Sequence, residues 1–411
     1  MRRVIRMTVQ RWTTLMALVF AAPAASQVPT TRPVDRGLPE APGQADSLLE
    51  AAGPGYTLRR TPHFLVAYNS PRPTLESLVS RLESTYAAVL WLCSSVGVEP
   101  RPPQTRLEVI FHDRPEDYLA WAARAGFAGA GTYGFYSEVS NRSAFYNVGN
   151  DPDLLALEGT IAELRANLDG IMGFVRQSRG SGEYELRYAD GRRVRLDRPA
   201  AERELKRMDR ELKSLDRRRN AYGDRVNRTV VQHETAHQVL FNVGLHVRDT
   251  AQPRWLVEGL ACLFETPPGP LGTGLGVVNE HRLRDLREAV GARADGARLS
   301  GADLAEAVAG GRLPGPRELI LEPARLAASG DRATTAYAVA WGLTHYLYRV
   351  RRDDLAACLR VLATRRPGQS VAPREELELF ERHFGPLDDA FVARMGDYLF
   401  KLRLRPSGDL R

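Results

Sequence analysis

The chain has 411 residues, 43% hydrophobic and 26% charged, which excludes a fibrous or wholly disordered polymer and leaves room for two or three subdomains. The formal charge of +7 does not make the whole protein a nucleic-acid binder, because it is local. Four arginines (Arg2, Arg3, Arg6, Arg11) lie at the start, residues 176–228 carry 17 Lys/Arg against 10 Asp/Glu, and the remainder is mildly acidic, near −4.

Residues 1–26 read as a secretory signal: those arginines, a short apolar run over 12–22, and small residues around Ala22 to Ser26. The run is shorter than the ~20 residues a spanning helix needs. An uncleaved anchor stays open, and no transmembrane segment is expected after cleavage. Residues 27–54, rich in Pro, Ala, Gly and charge, read as a disordered lead-in. Cys93, Cys262 and Cys358 each sit in an apolar helical pattern and read as buried free thiols.

Residues 55–150 read as an α+β unit. A strand over 63–68 precedes a helix with apolar residues from Leu75 to Cys93 at helical spacing, then a strand over 107–111 and a helix over 115–125. A hairpin around Ser140-Asn141 completes the unit, joining Phe135-Tyr136 to the strand 143–146. Residues 151–228 differ. Leu154, Leu157, Ile161, Leu164, Leu168 and Ile171 form one heptad seam; Leu205, Met208, Leu212 and Leu215 form another. Between them an Asp190-Gly191 turn marks a small hairpin. This charged helical-hairpin insertion either lies on the body of the protein or projects as a basic arm toward a partner or an anionic surface.

Residues 229–270 carry the chemistry. A helix over 229–242, with Thr229 and Gln232 as a capping box, contains His233-Glu234-x-x-His237. Histidines four apart project from one helix face, which suits a tetrahedral Zn²⁺ with neutral nitrogen ligands. Glu234 lies beside that face, where a base for an attacking water is needed. Glu258, on a second apolar helix in Trp255-Leu-Val-Glu258-Gly-Leu-Ala, is the expected third ligand. Val243 occupies the position where a metzincin places its third histidine, so that class is excluded. His246 reads as structural or supporting rather than as a ligand. Glu265, seven residues beyond Glu258, either supports a ligand imidazole or faces solvent. Residues 271–411 read as helical: 279–290, 301–309, 333–350, 355–362, 374–384 and 387–402.

These motifs resemble the gluzincin zinc peptidases, whose best-known members are thermolysin and the aminopeptidase N family. Within that clan they are most similar to a bacterial family of exported, peptidase-like proteins. The resemblance rests on His63-Phe-x-Val-x-Tyr68, the strand 107–111, Gly134-Phe-Tyr136 with Asn141-Arg142, His233-Glu234-x-x-His237, Trp255 to Glu265, and Tyr337 to Leu347. It implies one Zn²⁺ per chain, a substrate strand laid along residues 143–146, and a Tyr or His from the later helices as oxyanion donor. Tyr337 is the first candidate and His345 the second, although Tyr337, Trp341, His345 and Tyr348 also suit an aromatic packing stripe. The exopeptidase signature G-x-M-E-N is not found, so an endopeptidase is expected.

The sequence therefore suggests a secreted or periplasmic zinc metalloendopeptidase acting on a peptide or protein substrate. The alternative is a non-catalytic, envelope-associated binding protein on the same scaffold. A nucleic-acid partner is not expected, because acids interleave the basic residues of 176–228 and Tyr184, Tyr188 and Tyr222 form no stacking motif.

Overall fold

The computed structural model describes residues 37–127, 132–177, 182–188, 191–266, 275–293, 296–327 and 331–404. The signal read over residues 1–26 lies outside them. The fold is α+β.

The first helix corrects the lead-in. Residues 27–54 read as disordered, yet α1 (Gln44–Ala52) occupies the second half. Gln44, Leu48 and Ala52 recur one turn apart and are buried, and Gln44 donates to the Arg106 carbonyl at 2.7 Å. So short a stripe is hidden by the Pro and Gly around it. Next come β1 (Thr57–Arg60), β2 (Phe64–Tyr68), α2 (Arg72–Ser95), β3 (Leu107–His112), α3 (Pro115–Arg124), β4 (Gly134–Ser137) and β5 (Arg142–Tyr146). β1 is an addition to the sequence reading; Thr-Leu-Arg-Arg has no apolar alternation to reveal it.

The five strands form one sheet in the order β1-β2-β3-β5-β4. β2, β3 and β5 run parallel, and β1 and β4 flank them antiparallel. Strand β2 is apolar throughout because both its faces are covered. Phe64 and Val66 pack into the larger core with α2, while Leu65 and Ala67 pack into a second core with α1 and α3. The sheet order also corrects the expected substrate edge: residues 143–146 lie in β5, an interior strand, and the outer strand is β4.

The insertion is an arm with its own core. α4 (Pro152–Gln177) and α5 (Arg198–Val226) pack side by side, and β6 (Tyr184–Arg187) pairs antiparallel with β7 (Arg193–Leu196) at the far end. Ile171, Leu186, Leu196, Ala201 and Met208 bury one another there, with neighbours drawn only from the arm. The projecting form is therefore the one adopted. Asp151 ties its base together. Its carboxylate accepts from Tyr222 at 2.9 Å, from Tyr146 at 3.0 Å, and from the Leu154 amide at 3.2 Å.

A six-residue π-helical turn, Asn227–Gln232, joins α5 to α6 (His233–Asn242) without a break. The expected capping box is absent, because the chain arrives already helical and has no free N-terminus to cap. Gln232 instead donates to the Phe264 carbonyl at 3.0 Å. The rest is helical among the described residues: α7 (Arg254–Cys262), α8 (Glu280–Val290), α9 (Gly301–Ala309), α10 (Pro316–Leu321), α11 (Asp331–Val350), α12 (Arg352–Leu362), α13 (Pro373–Phe384) and α14 (Asp389–Lys401). Helix α10, six residues long, has too little periodicity to be read beforehand. α7 lies tight on α11 through Gly259, where a Cβ would stand 2.7 Å from the Ala340 carbonyl. No helix among the described residues is long and apolar enough to cross a membrane. The three cysteines are buried free thiols.

Two buried histidines away from His233 and His237 set an acid limit on stability. His112 ends β3 with its Nδ1 2.5 Å from the Tyr56 hydroxyl, and burial pulls its pKa down to about 4. His345 lies between the tilted rings of Trp341 and Tyr398, and burial, then Arg349, pulls it down to about 4. A folded pKa below the unfolded value of ~6.5 means the unfolded chain binds more protons between the two. Stability is then complete above pH ~6.5 and falls toward pH 4, by on the order of 3 kcal/mol for each histidine. Denaturant titrations across that window should show the fall, and His112→Asn should flatten it. An unchanged slope in that variant would refute the assignment.

Candidate metal centre

Helix α6 is fastened to the sheet by polar side chains set among apolar ones. Gln238, next to His237, donates to the Glu108 carbonyl at 2.9 Å and the Asn141 carbonyl at 3.2 Å, and accepts from Ser143 at 3.0 Å. Asn242 donates to the Asn141 side chain at 2.7 Å. These ties fix the rotation of α6, turning His233 and His237 away from the sheet and toward α7. Gln238 was missed in the sequence; one polar residue among Val239, Leu240 and Phe241 was its only signal.

His233, His237 and Glu258 meet in one buried triangle. The two Nε2 atoms are 3.0 Å apart, and each is 3.2 Å from Glu258 Oε2. Tetrahedral ligands at 2.0–2.1 Å from a zinc ion stand about 3.3 Å from one another, so the triangle has the right size. Two imidazole lone pairs and a carboxylate oxygen converging away from water would repel one another without a cation between them. These three residues could hold a metal ion.

The surroundings prepare that role. Glu265 Oε1 accepts from His233 Nδ1 at 2.8 Å, which puts the proton on Nδ1 and leaves the Nε2 lone pair for a metal. Glu265 is held by Arg282 through two bonds, 2.9 and 2.8 Å, and by Asn279 at 2.9 Å. Burial opposes ionisation of Glu265, but Arg282 and His233 outweigh it and hold its carboxyl well below the usual range. Glu258 behaves alike: burial opposes, while His237, His233 and Arg254 keep it ionised. Burial would also depress His233, yet Cys262, Glu258 and Glu265 raise it well above the ordinary histidine value. A potential that favours a proton there favours a cation. Of the two readings of Glu265, the buried one is found: it supports the His233 imidazole rather than facing solvent. Arg282 and Asn279 were missed, because Asn-Glu-His-Arg at the start of α8 reads as an ordinary charged face.

His233, Cys262 and Glu265 form a second close group behind the first. Cys262 Sγ is 3.5 Å from Glu265 Oε1, and burial and that carboxylate push its thiol up to about 11. A neutral thiol beside a carboxylate already bonded to arginine and histidine backs the site rather than forming another.

Glu234 is not among the converging atoms. Its Oε2 accepts from the Tyr136 amide of β4 at 2.8 Å, joining the outer strand to α6. Burial, and more weakly the charge of Glu258, raise its pKa above the usual carboxylate value against the pull of His233 and His237. Arg254, one turn before Glu258, donates to Glu258 Oε1 at 2.7 Å and lies 3.6 Å from Glu138, just past β4. This Arg254–Glu138 pair at the rim gave no signal in the sequence.

Tyr337 stands beside the site, its ring 5.9 Å from that of His233 and under the Arg282 guanidinium at 5.1 Å. Burial and Glu258 raise its pKa, so the hydroxyl keeps its proton. His345 is eight residues further along α11, about 12 Å along the axis, between Trp341 and Tyr398, with its Nδ1 3.2 Å from the Tyr398 hydroxyl. His246 is buried against Phe241 at 5.1 Å and stands outside the ligand triangle.

A family model described as "Protein of unknown function (DUF1570)" matches residues 227–369. The match takes in α6, α7, α8 and α11, and with them His233, His237, Glu258, Glu265, Arg282 and Tyr337. It leaves out the sheet and nearly all of the arm. No curated protein and no solved structure matches the chain.

Proposed function

We propose that the protein is an exported zinc-dependent metallopeptidase, acting as an endopeptidase by Glu234-assisted attack of water on a peptide bond. The observation that carries this reading is the triangle of His233 Nε2, His237 Nε2 and Glu258 Oε2, with sides of 3.0, 3.2 and 3.2 Å. Two nitrogens and one oxygen suit Zn²⁺ better than Mg²⁺ or Ca²⁺, which prefer oxygen alone. Zn²⁺ held there would supply Lewis acidity and lower the pKa of water toward ~7.

The chain's own residues do the rest. Glu265 keeps His233 in the ligating tautomer. Glu234, its pKa raised by burial, takes the proton of the attacking water and returns it to the leaving amine. Tyr337, still protonated, donates to the developing oxyanion. β4 is the outer strand of the sheet, and beyond the Tyr136 amide held by Glu234 its edge can pair with an extended peptide. A strand bound along its length needs no free terminus, which favours internal cleavage.

Purified protein should carry about one zinc per chain. Glu258→Ala should empty the site and His246→Ala should leave it full, measured by elemental analysis after dialysis. Digestion of a peptide library by the metal-loaded protein should give cuts away from both ends. A metal-free wild type, or loss of metal in His246→Ala, would overturn the ligand set. Metal bound without cleavage of any library member would replace the peptidase by a binding protein.

A further inference from the structure

The arm carries a feature that the metal centre does not use. Arg203, Lys206, Arg210, Lys213 and Arg217 follow one another on α5 at alternating steps of three and four. At about 100° per residue they fall on one face, in a row about 21 Å long. All five are exposed. The opposite face holds Ala201, Leu205 and Met208, packed into the arm's core, so the row points to solvent.

Most charged residues of the arm are paired: Arg165 with Asp216, Arg198 with Glu202, and Arg207 with Glu204 and Glu211. Within the row only Lys213 has a carboxylate, Asp209 at 2.7 Å. Among the described residues Arg203, Lys206, Arg210 and Arg217 have none. Between residues 203 and 218 an arc of about 140° around this row holds no acid and no aromatic ring. Acids border it on both sides, Glu202, Asp209 and Asp216 along one and Glu204 and Glu211 along the other.

We propose that this row binds a linear phosphate polymer, recognised by charge alone. Its side chains follow one another about 5 Å apart along the axis, which suits anions carried in single file. A flat anionic bilayer would press on the bordering acids as well, and the row has no apolar residue to insert into it. Nucleic-acid bases would find no ring to stack on. The row lies on the helix that leads into α6, so a polymer held there would anchor the metal centre without covering it.

The test is equilibrium binding of long-chain inorganic polyphosphate to the full chain by fluorescence anisotropy. With about five contacts, affinity should fall on the order of 100-fold between 50 and 200 mM salt. Changing all five to Gln should weaken binding at least about 30-fold and flatten the salt dependence, with zinc content and circular dichroism unchanged. A control removes the same charge from the exposed Arg312, Arg325, Arg352, Arg374 and Arg382, and should bind as wild type. Equal loss in the control would reduce the effect to net charge and overturn the proposal. So would tighter binding to phosphatidylglycerol vesicles than to polyphosphate, or no polyphosphate binding at low salt.

Discussion

Glu234→Gln should keep one zinc per chain and lose about 10²–10⁴-fold in kcat, the range a positioned general base contributes. The change removes a proton acceptor and little else. Glu234 stands outside the ligand triangle, and its one resolved bond, from the Tyr136 amide at 2.8 Å, can be made equally to an amide oxygen. The anchor between β4 and α6 therefore survives, and so does the path by which a peptide would reach the site. Elemental analysis beside steady-state kinetics reads both effects. A variant that keeps its metal and its activity would refute the assigned base.

The largest stability effect should come from Glu265→Ala. That carboxylate holds His233 at 2.8 Å and both arms of Arg282, whose side chain is only 12% exposed. Removing it strands a buried guanidinium, at a cost of about 3–5 kcal/mol. It also frees the His233 tautomer, which should weaken metal binding about 10–100-fold. The two consequences can be separated. Adding Arg282→Leu removes the stranded charge and should recover most of the stability. It cannot restore the acceptor for Nδ1, so metal affinity should stay low. Recovery of both together would mean that Glu265 serves only as the partner of Arg282. Denaturant unfolding and a competitive zinc titration decide between these outcomes.

The convergence of His233, His237 and Glu258 was legible because spacing and residue type coincide: two histidines one turn apart, then a glutamate inside an apolar helix. The strands β2, β3 and β5 were legible from their apolar runs. What escaped was whatever depends on contacts distant in sequence. Arg282 matters because α8 brings it against α7, and nothing around residue 282 records that. The outer position of β4 is a property of strand order, which local pattern does not encode; hence residues 143–146 were expected at an edge they do not occupy. Tyr337 and His345 look alike in sequence, two turns apart on one helix, and only packing puts the first beside His233 and the second beside Tyr398. Thr229 and Gln232 suggested a helix start where the helix in fact continues, since a capping pattern says nothing of the chain before it.

That continuation has a geometric consequence. From Arg198 to Asn242 the backbone is helical throughout, with one π turn before His233. Along such a rod every residue inserted or removed rotates one end against the other by about 100°. The α6 end is clamped by Gln238 and Asn242 to the sheet, and the other end by the apolar seam to α4. The two clamps therefore have to agree in phase, and the wider π turn is where α5 and α6 are brought into register. Arm length is thus quantised: it can change by whole heptads in α4 and α5 together, with the hairpin carried along. A single-residue deletion in α5 would turn the seam about 100° away from α4.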